Sequence, residues 1–341
     1  MAPYRVMAFD RVALAPDLAV CRIMNGMWQV SGAHGRIDRE KALASMSAHV
    51  DAGFKTWDLA DHYGPAEELV GEFRRRYAGE RGPSQLADLQ FCTKWVPRPG
   101  PMPRAIVEAA VDRSRSRMAT DTLDLLQFHW WDYADRRYLD ALAHLADLCA
   151  EGAIRHIGLT NFDTERVAAL LDDGVPVVSN QVQFSLIDRR PDARMAPLCE
   201  RRGVHLLAYG TLCGGLLSER FLGQPEPRGT ALDTVSLQKY KQMVDAWGGW
   251  TLFQELLAVL KGVANRHGVS IATIAARWAL DRPAVAAVIL GRRLGLTDHR
   301  ADNARLFAFT LDDEDRRRIE TVLAKSRNLL EIIGDCGDEY R

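Results

Sequence analysis

Short apolar runs of strand length recur along this 341-residue chain, each separated from the next by a longer amphipathic stretch. That alternation constrains the fold more than any other feature. Strands are expected at 20–24, 55–59, 89–94, 122–128, 154–158, 177–181, 204–208 and 285–290. Apolar residues at helical spacing predict helices over 39–52, 67–77, 104–117, 136–151, 164–171 and 191–202. Gly53, Gly152, Gly174 and Gly203 follow helical runs closely, where a C-terminal stop residue belongs. A helix between successive strands gives the chain its return path, so the strands run parallel. Eight of them predict an α/β fold closed into a single (β/α)8 or TIM barrel.

The chain is longer than the roughly 250 residues such a barrel needs, and the surplus falls in recognisable places. Residues 10–22 fit a hairpin capping the barrel bottom, with strands at 11–14 and 19–22 and a turn at 17–18. A long Gly- and Pro-containing stretch, 219–249, precedes the last strand, and 311–325 reads as an extra helix before a tail at 334–341. The expectation is one domain over 1–341, with the barrel spanning about 19–310.

A formal net charge of −1 offers no electrostatic footprint for nucleic acid or an anionic membrane. No apolar run reaches membrane-spanning length, and residues 1–5 do not lead into a signal-peptide core. The six cysteines (21, 92, 149, 199, 213, 336) form no C-x-x-C pair, and most stand in apolar contexts, so reduced, largely buried thiols are expected. A cytoplasmic protein acting on a small molecule is the reading that follows. Oligomeric state is not set by the sequence.

Four polar residues stand just past successive strand-like runs: Asp58, Tyr63, Lys94 and His129. Tyr63 and Lys94 are 31 residues apart and Lys94 and His129 are 35, each about one βα repeat. Strand C-termini converge in a parallel barrel, so such residues share one pocket. A phenol is a poor proton donor unless a cation stabilises its phenolate. Lys94 in the apolar run Phe91-Cys92-Thr93-Lys94-Trp95 is such a cation, and charged groups are seldom buried unless paired, which points to Asp58. Histidine beside the phenol positions a carbonyl oxygen or joins the proton relay. Taken singly, Asp58 also reads as a cap or turn residue, and His129 as a core imidazole.

The stretch from Gly53 through Trp57-Asp58-Leu59 to Tyr63-Gly64, followed by Glu67-Glu68-Leu69-Val70-Gly71, resembles the first signature of the aldo-keto reductases. Leu123-Asp124-Leu125-Leu126-Gln127-Phe128-His129-Trp130 and the segment from Gly152 to Phe162 resemble later ones, and the similarity runs from about Leu14 to Lys325. The resemblance implies Tyr63 as general acid, Lys94 as its pKa-lowering partner, Asp58 as the anchor of Lys94 and His129 as the carbonyl-orienting residue. Hydride would come from a nicotinamide, since no side chain supplies it.

No Gly-x-Gly-x-x-Gly follows an early strand, so a Rossmann mode is not indicated. The resemblance instead implies a cofactor site built by Met27, Trp28, Asp58, Thr160, Asn161 and Gln181, with Tyr209 stacking under the nicotinamide. Tyr209-Gly210-Thr211-Leu212-Cys213-Gly214 resembles the loop that passes the pyrophosphate, so Gly210, Leu212 and Gly214 belong to that set. Glycines suit a backbone that approaches phosphate closely. The run from Gly291 through Arg292, Arg293, His299 and Asp302 to Asn303 resembles the adenosine-binding turn, although His299 stands where Gln or Arg is common. Arginine forks match a 2′-phosphate, which favours NADP, that is NADPH over NADH.

Trp28, Trp95 and Trp130 follow or end strands near the predicted rim, implying an aromatic-walled substrate pocket. His62, His129 and His156 have no accompanying His-x-His or carboxylate ligand pattern, so no metal site is expected. Two functions remain open at this point. One is an NAD(P)H-dependent reductase of aldehydes or ketones, or the reverse reaction on an alcohol. The other is a cofactor-binding regulatory or interaction subunit of the same fold, a choice that fold alone does not make.

Overall fold

The structure, a computed structural model, describes residues 10–32 and 37–340. The signal-peptide reading of residues 1–5 and the last residue of the tail lie outside that range. A two-stranded hairpin, β1 (Arg11–Ala15) and β2 (Leu18–Cys21), precedes eight barrel strands. These are β3 (Ile23–Gly26), β4 (Thr56–Asp58), β5 (Gln90–Trp95), β6 (Leu123–His129), β7 (Ile154–Thr160), β8 (Val177–Gln183), β9 (His205–Tyr209) and β10 (Val285–Gly291). They close in sequence order, with β10 pairing back onto β3 and every barrel pairing parallel. Closure removes the sheet edges that would otherwise expose unpaired backbone.

The helices are α1 (Arg39–Asp51), α2 (Ala66–Arg81), α3 (Pro83–Ala87), α4 (Arg104–Met118), α5 (Tyr138–Ala150), α6 (Thr164–Asp172), α7 (Arg190–Ala193) and α8 (Met195–Arg202). Then come α9 (Val235–Trp247), α10 (Gly249–His267), α11 (Ile271–Leu280), α12 (Arg300–Ala304), α13 (Asp313–Leu323) and α14 (Leu329–Ile333). Helix α5 shows why these segments are helical. Its buried residues Tyr138, Ala141, Leu142, Leu145 and Leu148 fall at three- and four-residue steps and form one apolar stripe against the sheet. Each large aliphatic side chain so buried contributes on the order of 2 kcal/mol. The extra helix α13 starts with a reciprocal cap between Asp312 and Asp315.

Three expectations change. The run expected as one barrel strand at 20–24 is split: Cys21 ends the hairpin and Ile23 begins the barrel. Arg22 is the pivot, its backbone N–H donating to Asp10 O at 2.7 Å while its guanidinium reaches Leu280 O at 2.9 Å and Ala286 O at 3.2 Å. The hairpin lies across the barrel bottom as expected, with Leu14, Leu18 and Val20 packing on the inward-facing Met24, Leu125, Leu207 and Ala287. The stretch 219–249 is also more ordered than its composition suggests. Its second half is α9, in which Leu237, Tyr240, Met243, Val244 and Trp247 recur at helical spacing behind a Thr234 cap. Helices α10 and α11, absent from the sequence expectation, complete the path to β10. All six cysteines are free, and every one except the half-buried Cys149 is buried.

Candidate active site

The strands carry the four polar residues to the C-terminal end of the barrel. Asp58 ends β4, Lys94 lies one residue from the end of β5 and His129 ends β6, while Tyr63 follows β4 in the connection to α2. Asp58, Lys94 and His129 are buried and Tyr63 is half-buried. Lys94 Nζ donates to both Asp58 oxygens, at 2.8 and 2.7 Å, and to Leu59 O at 3.0 Å. All three ammonium hydrogens are thereby used, which is what a buried cation needs. The same ammonium lies 5.2 Å from the centre of the Tyr63 ring.

The Tyr63 phenol is shifted by its surroundings. Burial, reinforced by Asp58 and Asp61, holds its phenol well above the ordinary value. The Lys94 ammonium beneath the ring is itself held by Asp58 at 2.7 Å. The phenol therefore keeps its proton throughout the physiological range, the state a proton donor requires.

Strand register aligns the neighbouring polar residues. His129 pairs with Thr160 on β7, and Thr160 pairs with Gln181 on β8. Asn161 has φ of 57°, a left-handed conformation that asparagine tolerates better than most residues. Its Oδ1 accepts from the Tyr209 hydroxyl at 2.9 Å. Gly214 has φ of 65°, and a Cβ there would stand 2.9 Å from the Ser236 backbone at the start of α9, so the 210–214 loop needs glycine for two reasons. Gly210 and half-buried Leu212 lie on the same loop. Met27 is buried directly after β3, its N–H donating to Asp58 O at 2.9 Å, and half-buried Trp28 follows it.

In the turn after β10 the two arginines separate. Arg292 is not displayed at the rim: it is buried, donates from Nε to Asn25 Oδ1 at 2.9 Å and sits over the Phe54 ring at 5.5 Å. Burial lowers its pKa to about 10, against a smaller opposing effect of Asp298. Exposed Arg293 is the guanidinium that the turn offers outward. Exposed His299 precedes α12, where the Asp302 carboxylate is taken by Ser270 Oγ at 2.8 Å. Asn303 Nδ2, by contrast, is buried with no hydrogen-bond partner among the described residues.

The tryptophans expected at the rim differ in exposure. Trp130 is fully buried, its Nε1 donating to Asp132 O at 2.7 Å and Asp135 O at 2.9 Å, and it packs on Phe128. Trp95 is buried against the same Phe128 ring at 5.5 Å. The next tryptophan, Trp131, is 38% exposed with its ring 4.4 Å from that of His129, and so flanks the site where Trp130 was expected to. Two residues on along a strand direction, a side chain returns to the same face as His129, which was the available signal.

The tail from Gly334 is a segment the sequence allowed to cover the pocket, without showing which of its residues reach the site. Tyr340 lies with its ring 6.3 Å from both His129 and Trp131, and its hydroxyl is 3.2 Å from that of Tyr209. Lys239 Nζ, on α9, contacts the Tyr340 hydroxyl and sits 5.3 Å from the Tyr209 ring. The tail is anchored by buried Arg190, which donates to Asp188 Oδ2 at 2.7 Å, Glu339 Oε2 at 2.8 Å and Asp335 O at 2.9 Å. Nothing in the tail's composition distinguishes these contacts from solvated turns.

The C-terminal end of an eight-stranded parallel barrel thus carries a buried Lys94–Asp58 pair with the half-buried Tyr63 beside it. The model of the Aldo/keto reductase family matches residues 22–324, and the chain belongs to that family. Its members are typically NAD(P)H-dependent oxidoreductases. Flagellar radial spoke protein 5 of Chlamydomonas reinhardtii is 34% identical over 65% of this chain, and the match spans about half, 49%, of that longer protein. Aldo-keto reductase YhdN of Bacillus subtilis is 28% identical over 89% of both chains. Among solved structures, a glycerol dehydrogenase from Gluconobacter oxydans superposes with a TM-score of 0.73 at 23% identity, covering 94% of this chain and 96% of its own. An aldo/keto reductase from Klebsiella pneumoniae, solved with NADP and acetate, has a TM-score of 0.66 at 23% identity over 89% of this chain and 92% of its own. Both likenesses are of fold. Among the described residues, no helix is long and apolar enough to cross a membrane.

Proposed function

We propose that this protein is an NADPH-preferring reductase of aldehyde or ketone carbonyls, working in either direction, with the whole chain acting as one domain in the cytoplasm. The buried Lys94–Asp58 pair under a half-buried, protonated Tyr63 is the observation that carries the reading. A buried ion pair contributes little stability compared with apolar residues of the same volume, so its presence at the mouth of a barrel favours a chemical use.

The residues fit a nicotinamide dinucleotide. Thr160 Oγ1, Thr211 Oγ1 and Asn303 Nδ2 are buried polar atoms without hydrogen-bond partners among the described residues, and all lie at or beside positions that the family resemblance assigns to the cofactor. Buried polar groups are normally satisfied, so orphans following one ligand's path favour a missing partner. Asn161, Gln181 and Thr160 would hold the carboxamide end, Tyr209 the ring, the 210–214 loop the pyrophosphate, and Arg293 and Asn303 the adenosine end. The bound cofactor would supply hydride.

This chain's own groups do the rest. His129 and the phenol of Tyr63 orient the carbonyl oxygen. Tyr63 delivers its proton to that oxygen as negative charge develops, and the Lys94 ammonium stabilises the phenolate left behind. Asp58 holds Lys94 charged and oriented. Trp131, Trp28 and Tyr340 furnish apolar faces near the site, which favours substrates with an aromatic or apolar body.

The likeness to a protein named for the flagellar radial spoke supports a second reading, a cofactor-binding interaction protein with little turnover. The two are separated by following NADPH and NADH oxidation with aromatic aldehydes, dicarbonyls and keto sugars, and the reverse reaction with alcohols. Turnover with NADPH preferred supports the reductase. Tight cofactor binding with no turnover across the panel refutes it.

A further inference from the structure

Gln127 belongs to no site residue set out above, yet it lies at the polar centre of the barrel. It is fully buried on β6, paired in register with Lys94 on β5 and with Gly158 on β7. Its Nε2 donates to Asp58 Oδ1 at 2.9 Å, and its Oε1 accepts from Gln181 Nε2 at 2.6 Å. Gln181 Nε2 also donates to Asp58 Oδ1, at 2.7 Å. Gly158 makes the room: a Cβ there would stand 3.2 Å from Gln127 Cγ and 2.6 Å from Ser179 Oγ.

A side-chain amide has two N–H donors and one carbonyl acceptor, and either end can face a ligand unless the neighbours decide. Here they decide. Both hydrogens of the Gln181 amide are used, one by Asp58 and one by Gln127, so the carbonyl Oε1 is the only polar atom that Gln181 has left to offer. We propose that Gln127 is a positioning residue that, with Asp58, fixes Gln181 as an obligatory acceptor, so that the cofactor is recognised through the N–H of its carboxamide. This inference rests on the cofactor reading above. It also ties the two ends of the site together, since the same Asp58 oxygen that holds Lys94 holds this clamp. A hydrophobic residue at 127 would leave one Gln181 hydrogen buried and unsatisfied and remove one donor from Asp58.

The test is a binding measurement, fluorescence titration with NADPH and with its 3-acetylpyridine analogue, in which a methyl group replaces the carboxamide NH2. Wild type is expected to favour NADPH. Gln127→Met should narrow that preference by roughly 3- to 10-fold, the value of one neutral hydrogen bond. Gln127→Asn, a methylene too short to reach both partners, should narrow it too, so a folding failure of the methionine variant leaves the test in place. Gln127→Glu should retain it, because a carboxyl protonated by burial beside Asp58 still donates to Asp58 and accepts from Gln181. In a Gln181→Ala background the methionine change should have no further effect on the ratio. An unchanged ratio in folded Gln127→Met and Gln127→Asn, or an equal narrowing in the Gln181→Ala background, overturns the inference alone. Wild type that binds no NADPH overturns the functional reading and this inference with it.

Discussion

Replacing Asp58 by asparagine removes one charge and almost no volume, and its consequences can be worked from the contacts. The carboxylate accepts four hydrogen bonds, two from Lys94, one from Gln127 and one from Gln181, and it is 3% exposed. An asparagine retains one acceptor oxygen and turns its own N–H groups toward those donors. Lys94, also buried, is left with an uncompensated charge, and breaking a buried pair from one side costs about 3–5 kcal/mol. Urea unfolding of wild type and Asp58→Asn at neutral pH should show a gap of that size. The double variant Asp58→Asn/Lys94→Met removes the stranded charge while keeping an acceptor for Gln127 and Gln181, and should recover part of the lost stability. A single variant about as stable as wild type, within about 1 kcal/mol, would refute the view that the pair is a buried, mutually dependent unit.

Arg293→Ala should weaken NADPH binding while leaving NADH unchanged, whereas Arg292→Ala should lower stability without changing that selectivity; titration with both cofactors separates the two. His49 is buried, donates from Nδ1 to Ser45 O at 2.7 Å, and has its pKa lowered to about 4 from 6.5 by burial, with Arg292 adding to the effect. The unfolded chain then binds the extra proton first, so stability falls as pH drops from 6.5 toward 4, by up to about 3 kcal/mol. His49→Gln should flatten that part of the stability profile, and an unaltered slope would remove His49 as its source. Tyr340→Ala should speed NADPH binding in stopped-flow mixing by opening the rim beside Tyr209; an unchanged rate means the tail does not stand across the approach.

What was legible in the sequence follows from what sequence patterns encode. Short continuous apolar runs and the 3.6-residue period between them pointed to the barrel, because its strands are buried on both faces, as β5 is, and its outer helices bury one apolar stripe, as α5 does. The hairpin and the first barrel strand merged into one expectation because both are apolar and nothing at Arg22 marks a pivot except contacts from residues 258 and 264 positions away. Asp58, Tyr63, Lys94 and His129 were readable as polar residues at the ends of apolar strands. Gln127 carried the same signal inside Leu125-Leu126-Gln127-Phe128, yet its meaning depends on Asp58 and Gln181 arriving from other strands. Arg292 and Arg293 are adjacent and chemically identical, so only the fold tells which one turns inward onto Asn25 and Phe54. Trp130 and Trp131 are a second such pair.

The central claim is that Tyr63 donates the proton in a carbonyl reduction. Its most direct test compares wild type with Tyr63→Phe for NADPH affinity and for NADPH oxidation driven by an aromatic aldehyde. The account predicts a folded variant with near-normal NADPH affinity and turnover reduced by about 10²- to 10⁴-fold, the usual contribution of a general acid. Near-normal turnover by Tyr63→Phe would contradict it.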